Sequence, residues 1–276
     1  MSVITLTTDF GIKDHYVGSV KGALFNELEN VNIVDVSHNI SPFNIVEAAY
    51  IVENSYKNFP EGSIHIIGVD SEKTIEQSHL VIKLDNHFFI CANNGIMSLL
   101  ASKINPEKII EINIHNDKVT TFSVIDVFVK IAAHIYRGGS IDLVGNQIFK
   151  LKELYNLNPI LNEKSNEISG NVIYVDNYDN VVTNISKKTF IEFGKSRSFE
   201  INARNYIFKE IVSSYGNAIR FDIKKENRKE IGKKIALFNK SNSLELSIYK
   251  SNPETFGGAA SLFGLNYRDV ITIKFN

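Results

Sequence analysis

The stretch TTDFGIKDHYVGSVKG, residues 7–22, decides how the rest of the chain is read. The run before it, Val3-Ile4-Thr5-Leu6, has the β-branched, apolar character of a buried strand, and it stops at an acid, Asp9, close to a turn residue, Gly11. Past a second acid, Asp14, apolar residues return at Val17, Val20, Leu24 and Leu28, the spacing of one helix face. Strand, acid-bearing turn and helix open a β-α-β unit, and in open sheets of such units ligands bind outside the carboxyl ends of the strands. Asp9 stands there. Its carboxylate can accept hydrogen bonds from two vicinal ribose hydroxyls. It can also cap a turn at Gly11, and the stretch by itself leaves both readings open. Asp14 sits where an N-cap would sit, so capping is its ordinary explanation.

Working outward, strand-like runs at Val3–Thr7, Val31–Val36, Ile64–Val69, Leu80–Leu84, Phe88–Ala92 and Ile109–Ile112 alternate with helical periodicity at Val17–Leu28, Ile45–Tyr56, Ile96–Ser102 and Val124–Tyr136. This is α/β grammar and predicts a mostly parallel sheet flanked by helices. The polar, Asn-rich stretch Glu153–Asn171 reads as a linker, giving an α/β domain over residues 1–160 and a second domain over 161–276. After it the strands crowd together (Asn171–Asp176, Val181–Asn184, Phe199–Ile201, Lys234–Phe238, Leu244–Ile248, Val270–Phe275), with one short helix at Gly258–Phe263. A smaller, mainly antiparallel β domain is expected.

Composition excludes several classes of function. With 276 residues, 43% of them hydrophobic, the chain can bury a sizeable core. Lys+Arg 30 against Asp+Glu 31 leaves a formal charge of -1, so no global field points to nucleic acid or to an anionic membrane. No apolar run approaches the roughly 20 residues of a membrane span, and no basic leader precedes the first strand, so a cytoplasmic address is expected. The single cysteine, Cys91, lies in the apolar run FFICA and excludes an intramolecular disulfide or a multi-cysteine metal site. No metal is expected. There is no GxSxG elbow, Walker loop or HExxH.

Two further stretches carry candidates. In VDVSHNISPFNIVEAAYIV, residues 34–52, Phe43 follows a strand end and Pro42; it can wall a pocket or staple onto the next helix. In GNVIYVDNYDNVVTNI, residues 170–185, Asp176 and Asn180 repeat the strand-end acid pattern in a tight turn, which by itself is a hairpin.

Together with FPEGSIHIIGVD, ANNGIMSLL, TFSVIDVFVKIAAHI, ALFNKSNSLELSI and GGAASLFG, these stretches resemble, nearly end to end, the S-adenosylmethionine hydroxide adenosyltransferases, which share their fold with fluorinating and chlorinating enzymes acting on the same substrate. The resemblance implies a homotrimer with active sites between the first domain of one subunit and the second domain of its neighbour. It implies that Asp9 holds the ribose hydroxyls, that Asp14 and Asp176 face the methionine amino group, that Phe43 lines the pocket, and that Asn180 reads the adenine edge. Tyr215, in IVSSYGN, matches an aromatic that stacks on adenine. The implied reaction is attack by water or hydroxide at the ribose carbon bonded to the sulfonium, giving adenosine and methionine without a cofactor.

The hydrolytic members resemble one another in an Asp-Arg-His set, and this chain departs from it. Asp70 is the acid, but Ser71, Glu72, Lys73 and Thr74 replace the usual Pro-Gly-Val-Gly, Gln77 stands in place of the arginine and Ser123 in place of the histidine. Gln77 and Ser123 can orient water but cannot supply charge or take up a proton near neutral pH. Lys73 and His79 are nearby replacements, each with an ordinary reading as a solvated charge and as a structural strand residue. Val124 stands where the fluorinating enzymes offer a serine to halide, which disfavours halogenation. The leading expectation is hydrolysis of S-adenosylmethionine. The alternatives are a catalytically silent binder of S-adenosylmethionine or adenosine, and an enzyme acting on another adenosyl substrate.

Overall fold

The first strand, β1 (Val3–Thr8), buries Ile4 and Leu6 completely and ends at Asp9, the residue with which the site begins. The computed structural model describes residues 2–101, 104–114, 120–154, 158–228 and 230–276. The chain divides into two compact units, Met1–Tyr155 and Asn156–Asn276.

In the first unit β1 is followed by α1 (Tyr16–Glu27), β2 (Asn32–Ser37), α2 (Ile45–Ser55), β3 (Ile64–Gly68), the hairpin β4 (His79–Leu84) and β5 (His87–Ala92), α3 (Ile96–Leu100), β6 (Lys108–Ile112), α4 (Val129–Tyr136) and β7 (Gly145–Gln147). The sheet order is β2-β1-β3-β5-β4-β6-β7. β2, β1, β3, β5 and β6 run one way, and β4 and β7 run against them. The reversal at β4 comes from Asp85 and Asn86, both at positive φ, which form the two-residue turn that matches strand twist.

Two-residue periodicity covers both faces of the sheet. Val81 and Ile90 face a layer with Val20 and Leu24 of α1 and Ile131 of α4, while Leu80, Ile82, Phe89 and Cys91 face Ala48 and Val52 of α2 and Ile96 of α3. Cys91 is enclosed, and burial pushes its thiol up to about 12, as expected of a core cysteine.

The second unit is an antiparallel sheet of β8 (Ile160–Asn162), β9 (Glu167–Val175), β10 (Val181–Ser186), β11 (Phe199–Ala203), β12 (Tyr206–Phe208), β13 (Lys234–Phe238), β14 (Ser243–Ile248) and β15 (Val270–Phe275), in the order β12-β11-β15-β9-β10-β14-β13 with β8 on β9. The sequence predicted one helix here, and the described residues form two α-helices, α5 (Lys187–Gly194) and α6 (Ala259–Phe263). Ser186 caps α5 by accepting from Thr189 N–H, and Phe190 and Phe193 pack on Phe275, so a Ser cap and an i, i+3 aromatic pair were the available signals.

Two further expectations are corrected. The cap of α1 is His15 rather than Asp14, and no side chain closes that helix end; Asp14 is exposed ahead of it. The helix expected from Val124 begins as a π-turn, Val124–Phe128, before becoming α4. Ser102, the last residue expected for α3, and residues 155–157 of the expected linker lie outside the described residues.

Candidate active site

The parallel strands of the first unit deliver their carboxyl ends to one edge of the sheet. Thr8 of β1 pairs with Gly68 of β3, so Asp9 and Asp70, one and two residues beyond these strand ends, arrive side by side. Gly68 is the point of close approach. A Cβ there would lie 3.0 Å from Val124 Cγ2, 3.2 Å from Thr8 Cγ2 and 3.3 Å from the Phe10 ring. The π-turn that begins at Val124, just after Ser123, is thereby seated against the two acid-bearing strands. Short π segments within helices are frequent at functional sites.

Asp9 is half-buried, and its Oδ2 accepts from Phe43 N–H at 2.9 Å. That bond joins the turn after β1 to the turn after β2, a closure completed by Gly11 N–H donating to His38 O at 2.7 Å. His38 also shares a 2.8 Å hydrogen bond with Thr8 Oγ1 through Nδ1. Phe43 is 73% exposed at φ 62, so its ring is not a staple onto α2 and is presented to solvent beside Asp9.

Asp70 also has a positive φ, 46°. Burial lifts its carboxyl above the ordinary carboxylate range, the charges of Asp9 and Glu72 add to the rise, and Lys152 and a hydrogen bond from the Gln77 side chain oppose it. Gln77 Nε2 donates to the main chain, at 2.8 Å to Asp70 O and 2.9 Å to Glu72 O, and the same side chain is within hydrogen-bonding reach of the Asp70 carboxyl. Ser123 is buried and makes no cap bond to the π-turn that follows it. His79 is 2% exposed; its Nε2–H donates to Ser71 O at 3.0 Å, and burial, with Lys73 adding to it, lowers its pKa. It serves the loop as a neutral donor. Val124 is fully buried against Gly68 and offers an anion no donor.

In the second unit Asp176 closes the β9–β10 turn with both carboxylate oxygens. Oδ1 accepts from Tyr178 N–H at 2.9 Å and Asn180 N–H at 2.8 Å, and Oδ2 accepts from Asn180 Nδ2 at 2.9 Å. Asn180 is 6% exposed, its amide plane fixed by that bond. Tyr215 donates its hydroxyl to Glu245 Oε1 at 2.5 Å, and Ser247 Oγ donates to the same oxygen at 2.7 Å. Burial and the Glu245 bond raise the Tyr215 phenol, and Asp176 is close enough to add to that rise. The ring is therefore held by its hydroxyl beside the Asp176–Asn180 turn.

Three residues of these clusters escaped the sequence reading. Glu245, a buried carboxylate on β14, anchors Tyr215. Asp179 Oδ2 receives Gly258 N–H, Ser261 N–H and Ser261 Oγ–H and thereby starts α6. Asn94, 4% exposed at the end of β5, donates to the carbonyls of Val69 and Asp70. Only Asp179 had a local signal, the Gly-Gly pair 257–258 ahead of a short apolar run. Among the described residues no group of three or more His, Cys, Asp or Glu side chains is placed to hold a metal ion, and no helix is long and apolar enough to cross a membrane.

Comparison with known proteins gives three findings. Residues 4–145 match the model of the SAM hydroxide adenosyltransferase N-terminal domain, and residues 170–272 that of its C-terminal domain. The chain is 29% identical over 282 residues to the (R)-S-adenosyl-L-methionine hydrolase of Methanocaldococcus jannaschii, covering 100% of this chain and 97% of that one, and 26% identical to the protein of the same name from Thermus thermophilus, over 71% and 81%. A crystal structure of an uncharacterized conserved protein from Thermotoga maritima superposes with a TM-score of 0.82 at 23% identity, covering 99% of this chain and 100% of that one, which establishes the shared fold.

Proposed function

The chain belongs to the SAM hydroxide adenosyltransferase family, and on that premise we propose that it hydrolyses S-adenosyl-L-methionine to adenosine and L-methionine. The observation that carries the reading is the pair of acids at the ends of adjacent strands, Asp9 half-buried and Asp70 with its pKa raised. Two neighbouring carboxylates with different environments divide two tasks. Asp9 keeps the oxygen not used by Phe43 for the ribose hydroxyls. Asp70 takes the proton of the attacking water. Water oxygen bonds to the 5′ carbon, the carbon–sulfur bond breaks with its electron pair going to sulfur, and the proton passes through Asp70 to solvent. Sulfur leaves as a neutral thioether, so the reaction needs no acid for the leaving group, no metal and no cofactor. Catalysis then rests on in-line placement of the water, assisted by the Gln77 carbonyl and the Ser123 hydroxyl.

The binding roles follow the same reading. Phe43 walls the pocket, Asp14 and Asp176 face the methionine amino group, Asn180 reads the adenine edge and Tyr215 stacks on it. The two sets of residues lie in different units of the chain, and the assembly that goes with this reading is a cytoplasmic homotrimer in which a neighbouring subunit completes each site. Incubating the purified protein with S-adenosylmethionine and separating the products by chromatography tests the reading, with stoichiometric adenosine and methionine expected. Intact substrate after prolonged incubation refutes it. Light scattering tests the assembly, and a strict monomer at micromolar concentration removes the composite site.

A further inference from the structure

The segment that carries Asp70 leaves the sheet after Gly68, and its carbonyls find no strand partner. Each is met by a side chain instead. Val69 O accepts from Asn94 Nδ2 at 3.1 Å, Asp70 O from Asn94 Nδ2 at 3.3 Å and Gln77 Nε2 at 2.8 Å, Ser71 O from His79 Nε2 at 3.0 Å, and Glu72 O from Gln77 Nε2 at 2.9 Å. Four successive carbonyls are thus held by three side chains. Within this clamp Asp70 keeps a left-handed φ of 46°, a conformation that persists in a non-glycine residue only when its surroundings over-determine it.

Asn94, buried like His79, is the member that grips the carbonyls on both sides of the Asp70 nitrogen and α-carbon. Its Oδ1 accepts from Ile96 N–H at 3.1 Å, which fixes the amide plane and aims Nδ2 at Val69 and Asp70. We propose that Asn94 is a positioning residue of the reaction, whose amide, with Gln77 and His79, holds the Asp70 carboxylate beside Asp9 at the end of β3. This rests on the hydrolase reading above. It explains how the carboxylate is placed: the geometry of the backbone that carries it gives its orientation. Asp9, Glu72 and Lys152 are the charged groups acting on Asp70. Releasing the clamp lets the carboxylate turn away from Asp9 and toward solvent, so both the burial and the like-charge effects on it weaken.

The test is Asn94→Ser, which keeps an acceptor for Ile96 N–H and removes the amide donors without adding charge; Asn94→Ala is the second variant should the first fail to fold. The expected result is a kcat for adenosine release at least about tenfold lower with a KM for S-adenosylmethionine within about threefold of the parent, the signature of lost transition-state positioning. Carbon-13 NMR of the labelled Asp70 carboxyl should show it titrating at lower pH than in the parent protein. A folded variant with parental kcat, or with Asp70 titrating where it does in the parent, overturns the proposal. If the parent releases no adenosine, the hydrolase reading has failed, and the carboxyl titration alone decides whether Asn94 positions Asp70.

Discussion

Replacing Asp9 by alanine removes two things that the structure locates separately. The first is the 2.9 Å bond from Phe43 N–H to Oδ2, which joins the turns after β1 and β2. A hydrogen bond to a charged acceptor contributes about 1.5–3 kcal/mol, and the half-exposed setting argues for the low end, so the unliganded protein loses about 1.5 kcal/mol. The second is the acceptor for the ribose diol. Two such bonds at the low end amount to about 3 kcal/mol, roughly a hundredfold in Kd. At an adenosine concentration of about 100 Kd for the parent, binding stabilises the parent by about 2.7 kcal/mol and the variant by about 0.4 kcal/mol. With about 2–4 °C per kcal/mol for chains of this size, the parent Tm rises by about 5–10 °C and the variant Tm by about 1 °C. Differential scanning fluorimetry with and without adenosine reads this directly. Asp9→Asn, which keeps the shape and an oxygen for Phe43, is expected to retain most of the unliganded stability while losing most of the shift. A full adenosine shift in Asp9→Ala would refute the reasoning and leave Asp9 as a turn residue.

Asp70→Asn is expected to abolish adenosine release and to raise Tm near pH 7. A carboxyl whose folded pKa is raised is most favourable to folding below its unfolded value of 3.8 and loses that advantage as pH rises through the folded pKa, so the gain should vanish below about pH 4 in a pH series of melting curves. His65 is held neutral by burial, its pKa pushed down to about 3, with Nδ1 on Thr5 Oγ1 and Nε2 on His87. Stability from this source is present above the unfolded value of 6.5 and is lost as pH falls from there toward about 3; His65→Gln, unable to titrate, should lower the neutral-pH Tm and flatten that acid limb. Tyr215→Phe deletes the bond to Glu245 while Ser247 still serves that carboxylate, so a stability loss of about 1–2 kcal/mol by urea unfolding is expected, with adenosine affinity kept within about threefold because the ring remains.

What the sequence determined by itself was everything carried by local periodicity and turn chemistry. The two-residue alternation of β1 and the helical spacing of Val17, Val20, Leu24 and Leu28 specify strand, turn and helix. The acid after β1 therefore falls at the ligand edge before any contact is known. The Asp176–Asn180 turn was legible for the same reason, since an Asp that bonds N–H groups two and four residues on leaves its mark within one turn. Asp14 misled because capping residues are common one position either way, and only the backbone at His15 decides where α1 starts. Tertiary structure alone decided how the site is held. The Asn94 clamp on Asp70 spans 24 residues and the Tyr215–Glu245 bond spans 30, and neither partner looks different in sequence from a surface amide or acid. Only the tertiary structure showed that the Gln77 amide nitrogen also holds the carbonyls of Asp70 and Glu72. Propensity and periodicity act between near neighbours, whereas the pairing of a buried donor with its acceptor is fixed only when the sheet register brings distant strand ends to one edge.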